Sequence, residues 1–452
     1  MMKKTYLSAA IAITMLSASG AYANLANGLP YDVSMDANGF MIDGQYRLLR
    51  GGTVQWFRIP SSEWRDRLER FKAAGFNTVD LYVAWNSVEP REGQFNFSSP
   101  NLRQFILLCK ELGLYVYLRP GPYITNEMDG GGVPAWLMAK STKKDIAADG
   151  KPNLRTHDPD YLNYVGKYLR RVNAEVRDLF ADRGGPIILY SVENEYNWFQ
   201  PFHEADKLFG YDGGPERGLW QSFNPNAYFT ALRDIVRNDG ITVPITTCPG
   251  DGKASATGDV SGVVPMPNIY NGLGGDYPEK TAVDLLTDMH SSNHGGVYAN
   301  MPSGTTETDR DPVKIKRLLL GGLDGTLAFN AVGMMTPGYR NAIVLNTRSV
   351  DNAFDFSSIN NIMNGFVSPQ VGYFHGVVDY YGPVSPSGLL RPSFHAFRRD
   401  NLFFDAVEPF FAAAGTAQKT GLTVSNVEIG AREPNNVKVN YWLQGTQGTS
   451  FV

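Results

Sequence analysis

Short apolar runs alternate with longer amphipathic runs along most of the chain, from about residue 46 to residue 332. The short runs are nearly continuous in apolar residues, which is typical of strands buried on both faces in a parallel sheet. The longer runs have apolar residues at helical spacing, and several end in glycine, a common helix stop. The strand-like runs lie at 47–57, 78–85, 114–121, 186–195, 243–248, 267–271, 296–301 and 326–332.

Eight strand–helix units over roughly 300 residues predict a (β/α)₈ TIM barrel. The alternative is an open, doubly wound sheet. That fold usually carries a glycine-rich phosphate-binding turn after its first strand, and the sequence contains neither a GxGxxG motif nor a P-loop. Long insertions follow the third and fourth strand-like runs. Because barrel active sites are built from the loops after the strands, we expect the functional residues there.

Composition changes beyond about residue 400, where short alternating runs appear at 421–430 and 435–445. Alternation of this kind predicts β-strands. We therefore expect residues 24–400 to form the barrel domain and residues 401–452 to begin a β-sandwich-like domain that is truncated.

The amino terminus has the pattern of a secretory signal peptide. Two lysines precede an apolar run of moderate length, which ends in the small-residue pattern Ala21-Tyr22-Ala23. The run is shorter than a membrane span and rich in small residues. We expect residues 1–23 to be removed and the protein to be periplasmic or extracellular.

Composition excludes several classes of partner. The chain is 43% hydrophobic and 19% charged, with a net charge of −4, an ordinary globular balance. Nucleic acids and anionic membranes both favour a clustered basic surface, so neither is expected as a partner. The two cysteines, Cys109 and Cys248, lie in a helix-like run and near a strand end, which favours two separate buried thiols. No His/Cys cluster has metal-ligand spacing, and neither a metal nor another cofactor is expected.

The fourth strand-like run ends in Glu193-Asn194-Glu195, two carboxylates around an amide. In a strand, Glu193 and Glu195 would point to the same side. Glycoside hydrolysis needs one carboxylic acid to protonate the leaving oxygen and a second carboxylate to attack or stabilise the sugar. The alternative to a catalytic role is a capping or salt-bridged pair.

The neighbouring motifs resemble those of glycoside hydrolase family 35, the β-galactosidases. These motifs are LYVAWNSVEPREGQFNF, LYVYLRPGPYITNEMDGGGVPAWLM, VENEYNWF and VDYYGPVSPSGLLRPSF, and the resemblance covers about residues 45 to 400. It implies hydrolysis of terminal non-reducing β-D-galactose residues by a retaining, two-carboxylate mechanism. The expected partner is a galactoside oligosaccharide or a polysaccharide side chain. Oligomeric state is left open.

The resemblance also implies roles for particular residues. Glu195 matches the acid/base, and Asn194 matches the residue that contacts the sugar beside the cleaved bond. The positions that match the lining of the galactose pocket are Tyr82, Asn126, Glu127 and Tyr380.

Structural alternatives accompany some of these roles. Glu127 is either a pocket residue or an acceptor that stabilises its glycine-rich loop. Tyr82 is either a pocket residue or part of the barrel core. Trp85 and Trp136 are either platforms for a sugar ring or packing residues.

The catalytic nucleophile is the point where the sequence departs from the family pattern. Members usually have a Glu at the end of the seventh strand, four residues before a Gly, and Asn300 stands at that distance from Gly304. An amide cannot form a glycosyl ester. Either Glu307 supplies the second carboxylate, or the site is degenerate and the protein binds galactosides without turnover. A third interpretation is another barrel exo-glycosidase with the same acid/base, such as a β-glucosidase or exo-glucosaminidase.

Overall fold

The computed structural model describes residues 24–36, 39–124, 126, 129–140, 154–196, 224–248, 260–266, 297–300, 325–335, 377–378, 382–412, 445–446 and 449–450. Three short strands precede the main sheet and pair in antiparallel order: β1 (Val33–Asp36), β2 (Gly39–Ile42) and β3 (Gln45–Arg47). Tyr31, just before β1, donates its hydroxyl to the backbone oxygen of Gly185 at 2.6 Å. This contact places the start of the described chain beside the amino-terminal end of the fourth barrel strand.

Eight parallel strands form the central sheet. They are β4 (Leu49–Thr53), β5 (Thr78–Tyr82), β6 (Tyr115–Gly121), β7 (Ile187–Val192), β8 (Ile245–Thr247), β9 (Val263–Pro265), β10 (Val297–Asn300) and β11 (Gly325–Ala328). Their order in the sheet is β10-β11-β4-β5-β6-β7-β8-β9. The last strand in the chain therefore pairs with the first, which is the connectivity of a (β/α)₈ barrel and excludes the doubly wound alternative.

The structure gives the bounds of seven helices, and capping side chains explain where three of them begin. They are α1 (Trp64–Ala73), α2 (Trp85–Val88), α3 (Leu102–Glu111), α4 (Ala135–Lys140), α5 (Pro159–Val176), α6 (Pro225–Asn238) and α7 (Pro392–Phe411). Asp158 and Asn224 cap α5 and α6 through side-chain oxygens, and each is followed by proline, whose missing N–H costs nothing at a first helical position.

Two glycines inside β4 are explained by close packing against β11 and the residues that follow it. A methyl group added to Gly51 would lie 2.2 Å from Leu327 Cδ2, and one added to Gly52 would lie 2.4 Å from the Cβ of Ala331. The barrel therefore closes on β4 at a distance that only glycine allows.

The sixth barrel strand is not where the sequence predicts it. The structure places β9 at Val263–Pro265, before the predicted run at 267–271, which lies outside the described residues. Three residues are too few to show a periodicity, so the segment has no strand signal of its own. Two of the amphipathic runs that predict helices, at 281–290 and 313–323, also lie outside the described residues.

Helix α7 spans residue 400, the predicted boundary between the two domains. Beyond it, the structure describes one antiparallel pair, β14 (Gly445–Thr446) with β15 (Thr449–Ser450). A second pair, β12 (Met334–Met335) with β13 (Val377–Val378), follows the barrel strands. The β-sandwich-like domain stays a prediction. Residues 1–23 lie outside the described part of the chain, and none of the helices described has the length and apolarity of a membrane span.

Candidate active site

Four residues predicted from the sequence lie at the carboxyl-terminal ends of three neighbouring barrel strands. Tyr82 is the last residue of β5, Asn126 follows β6, and Asn194 and Glu195 lie two and three residues beyond β7. All four are buried, with exposed fractions of 2 to 3%. The structure therefore brings them to the end of the barrel where active sites of this fold lie.

Three other predicted residues, Glu127, Glu307 and Tyr380, lie outside the described residues. Asn300 is placed by its backbone as the last residue of β10, paired with Ala328 of β11. The predicted strand-end position of Asn300 is thus confirmed.

The chain turns sharply after β7, and the strand geometry assumed for Glu193 and Glu195 is wrong. The strand ends at Val192, and the φ angles of Glu193 and Glu195 are +64° and +47°. Non-glycine residues seldom adopt this left-handed conformation, which concentrates at functional sites. The backbone N–H of Glu195 donates to the backbone oxygen of Cys248 at 2.5 Å. This bond ties the turn to the end of β8.

Glu193 is held by two buried partners. Arg155 Nη2 donates to its Oε2 at 2.6 Å, and the Tyr228 hydroxyl donates to its Oε1 at 2.7 Å. Arg155 also donates to the backbone oxygen of Asn194 at 3.0 Å. The first of the two carboxylates therefore has a structural role, because it anchors the turn that carries Asn194 and Glu195.

Arg155 itself is fixed by an aromatic ring. Its guanidinium carbon lies 3.6 Å from the ring centroid of Tyr123, which follows β6. A guanidinium over an aromatic face is an attractive, directional contact. The turn after β7 is thus bound to the segment after β6 as well as to β8.

Arg119, in β6, links Tyr82 to Asn194. Its Nη2 donates to Asn194 Oδ1 at 2.5 Å, and its guanidinium carbon lies 4.3 Å from the Tyr82 ring centroid. Its charge is paired with Asp80 of β5 at 3.3 Å. Because Arg119 only donates hydrogen bonds, Asn194 must turn its oxygen toward Arg119 and its amide N–H groups elsewhere.

Burial governs the protonation of the groups around Arg119. Burial raises the pKa of Asp80, while Arg119 and a 2.8 Å hydrogen bond from the Thr53 hydroxyl oppose the rise. Burial also raises the pKa of the Cys248 thiol to about 12; the charge of Arg119 lowers it and that of Glu195 raises it. Glu195 therefore acts electrostatically on the same buried cluster as Arg119. Neither cysteine forms a disulfide, and both are buried, as predicted.

Trp85 is a packing residue and not a sugar platform. It is buried, its ring stacks on Tyr168 at 4.5 Å between centroids, and its Nε1 donates to Glu89 Oε2 at 2.6 Å. Trp136 is partly exposed, lies edge-on to Trp85 at 6.3 Å, and donates to the backbone oxygen of Glu89 at 3.0 Å. Both tryptophans therefore stabilise the segments after β5 and β6.

Several residues that shape the site were missed from the sequence. The sequence did contain a clue to Arg119, because it is the one charged residue in an otherwise apolar strand-like run. The sequence contained no such clue to Arg155 or Tyr228, since each lies outside the motifs and reaches the site through the fold. No group of three or more His, Cys, Asp or Glu side chains in the described part of the chain is arranged to hold a metal ion.

A (β/α)₈ barrel with carboxylate, amide and aromatic side chains at its strand ends has the arrangement of a barrel-enzyme active site. Residues 39–210 match the model of glycosyl hydrolases family 35. This part of the chain is therefore similar to glycosyl hydrolases family 35.

Individual relatives agree with the family match. The chain is 42% identical over 266 residues to a β-galactosidase of Bos taurus, covering 53% of this chain and 39% of the relative. It is 37% identical over 223 residues to an exo-β-D-glucosaminidase of Thermococcus kodakarensis, covering 45% of this chain and 28% of the relative. The chain thus spans well under half the length of both relatives.

A solved structure supports the fold alone. A β-galactosidase from Rahnella superposes with a TM-score of 0.53 at 14% identity, covering 82% of this chain and 57% of that chain.

Proposed function

We propose that this protein removes terminal non-reducing β-D-galactose residues from galactosides by a retaining mechanism, with Glu195 as the acid/base. The observation that carries the proposal is the anchored turn after β7, which holds Asn194 and Glu195 at the carboxyl-terminal mouth of the barrel. The turn lies within the segment that matches family 35.

The surroundings of Glu195 suit proton transfer to a leaving oxygen. The side chain is buried, and its backbone is bonded to the end of β8. A general acid needs a fixed position within hydrogen-bond reach of the atom it protonates. Arg119 fixes the orientation of Asn194, the residue that we propose contacts the sugar beside the cleaved bond.

For the second carboxylate we propose Glu307, since no other Asp or Glu lies between Asp288 and Asp309. Two variants separate it from a degenerate site. If Glu307 is the nucleophile, Glu307→Ala abolishes turnover and Asn300→Glu does not improve it. If the site is degenerate, the wild type is nearly inactive, Glu307→Ala has no effect and Asn300→Glu restores turnover.

The exo-glucosaminidase relative favours a second candidate function, the removal of β-D-glucosamine residues. The decisive test measures kcat/KM of the full chain on matched nitrophenyl β-galactoside, β-glucoside and β-glucosaminide. We expect the galactoside to be preferred. Preference for the glucosaminide would replace the proposed substrate while keeping the enzyme class.

We also propose that the protein is exported, because its first 23 residues have the pattern of a secretory signal peptide. Expression of the full chain with its own amino terminus should yield periplasmic or secreted protein that lacks these residues. Retention of an intact amino terminus in the cytoplasm would contradict this part of the proposal.

A further inference from the structure

Three amide side chains meet at the carboxyl-terminal mouth of the barrel. Gln55 lies two residues beyond β4, Asn126 follows β6, and Asn330 lies two residues beyond β11. Their exposed fractions are 0%, 2% and 0%. Gln55 Nε2 donates to Asn126 Oδ1 and, at 3.4 Å, to Asn330 Oδ1. Gln55, Asn126 and Asn330 are termed the amide cluster.

Arg58 determines which end of each amide faces its neighbours. A guanidinium group only donates, so its hydrogen bond to Gln55 requires Oε1 of Gln55 to face Arg58. The Nε2 end of Gln55 must then face the two asparagines. Each asparagine turns its Oδ1 toward Gln55, and each Nδ2 group is left as a donor on the other side.

Neither Nδ2 group has an acceptor among the described residues, although both nitrogens are buried. Buried polar groups without a hydrogen-bond partner are rare in native proteins, and such a group commonly binds a water molecule or a ligand. Two such donors, each on an asparagine whose oxygen accepts a hydrogen bond from Gln55, are suited to bind oxygen acceptors.

The amide cluster is continuous with the candidate active site. Asn126 is one of the residues predicted to line the sugar pocket. Phe329, directly before Asn330, packs edge-on against the ring of Tyr82 at 6.3 Å between centroids. Asn330 and Gln55 thus extend the row of site residues from β5 and β6 across β4 to β11.

We propose that the two unpartnered N–H donors of the amide cluster form a subsite that binds hydroxyl oxygens of the sugar and disfavours a protonated amino group. The inference rests on the proposed function, because it takes a sugar as the occupant of the barrel mouth. An ammonium group also only donates, so it would meet like donors there. The charge of Arg58 behind Gln55 adds repulsion. The substrate class is therefore a neutral glycoside and not a 2-amino-2-deoxy glycoside.

The test replaces a donor by an acceptor of the same shape. Binding of D-galactose and D-galactosamine is measured by calorimetry, below the amine pKa, for the wild type, Asn330→Asp and Asn126→Asp. We expect the wild type to bind galactose about tenfold or more tightly than galactosamine, because a site built to bond a hydroxyl discriminates strongly. Each Asp variant should bind galactose about tenfold more weakly and galactosamine more tightly than the wild type.

A matched control makes the same chemical change away from the site. Asn101 caps α3 through its side-chain oxygen, which accepts from the Gln104 N–H at 2.9 Å. Asp is an equally good cap, so Asn101→Asp adds the same charge and should leave both affinities unchanged. Thermal unfolding checks that each variant folds. If Asn330→Asp does not, Asn126→Asp and Asn126→Ala decide the test, since Asn126 lies outside the barrel strands.

Each outcome has a defined consequence. If the Asp variants bind both sugars with wild-type affinity, the proposal is overturned, and the two Nδ2 groups bind water instead of a sugar. If the wild type nevertheless hydrolyses galactosides, the proposed function stands and the subsite alone is rejected. If the wild type binds and hydrolyses no sugar, the proposed function and the subsite fall together.

Discussion

Arg119 donates a 2.5 Å hydrogen bond from Nη2 to Oδ1 of Asn194, across the gap between β6 and the turn after β7. The same guanidinium is paired with Asp80 and covers the face of Tyr82. One buried cation thus orients an amide and an aromatic ring that the sequence assigns to the sugar pocket.

Replacing Arg119 by Lys keeps the positive charge beside Asp80 but removes the planar fork that reaches Asn194. We expect kcat/KM on a β-galactoside to fall on the order of 100-fold, because a small misplacement of a positioning group has effects of that size. Arg103→Lys is the control, since Arg103 pairs with Asp178 on the surface. Equal losses in the two variants would show that Arg119 does not position Asn194.

Tyr228→Phe removes one of the hydrogen bonds that hold Glu193. A hydrogen bond to a charged group contributes about 1.5–3 kcal/mol to stability, so the free energy of unfolding should fall by that amount. Activity should fall as well, because Glu193 anchors the turn that carries Glu195. Tyr190→Phe is the matched control, since its hydroxyl bonds Asn173 at 2.9 Å. It should lower stability without lowering kcat in folded protein. A Tyr228→Phe variant of unchanged kcat would argue against the anchoring role.

Trp85→Ala tests the assignment of this ring to packing. Removing a buried Trp costs about 3–5 kcal/mol, so chemical denaturation should show a loss of that size. The affinity of the folded variant for galactose should be close to that of the wild type. A stable variant with greatly weakened galactose binding would instead identify Trp85 as a sugar platform.

Alkaline pH should destabilise the protein partly through its thiols. Burial raises the pKa of Cys248 to about 12 and also raises that of Cys109, from an ordinary value of 9.0. The unfolded thiols ionise near pH 9, while the native thiols stay protonated. The contribution of the buried thiols to the free energy of unfolding is therefore complete below pH 9 and is lost as pH rises above it. Above pH 9, each thiol lowers the free energy of unfolding by up to about 1.4 kcal/mol per pH unit. Urea unfolding of Cys109→Ala between pH 8 and 10 should show a shallower slope; an unchanged slope would contradict the burial argument.

The barrel was predictable because buried parallel strands leave continuous apolar runs in the sequence. Helix starts such as Asp158-Pro159 are recognisable as a capping side chain followed by proline. Glu195 and Asn194 were predictable because polar residues at a strand end stand out. The backbone at Glu193 was not, since its left-handed turn depends on Arg155 and Tyr228, which no local pattern connects to it. Gln55 and Asn330 lie 275 residues apart in the chain, and only the closure of the barrel brings them together.

The central claim is that Glu195 protonates the leaving oxygen, and the Glu195→Gln variant tests it most directly. Two substrates with the same sugar are compared, lactose and dinitrophenyl β-galactoside. Protonation matters for the poor leaving group and little for the good one, since general acid catalysis follows leaving-group basicity. We expect turnover of lactose to fall about 100-fold or more, while release of dinitrophenolate in the first turnover is much less affected. Equal lactose turnover by the variant and the wild type would contradict the assignment of Glu195.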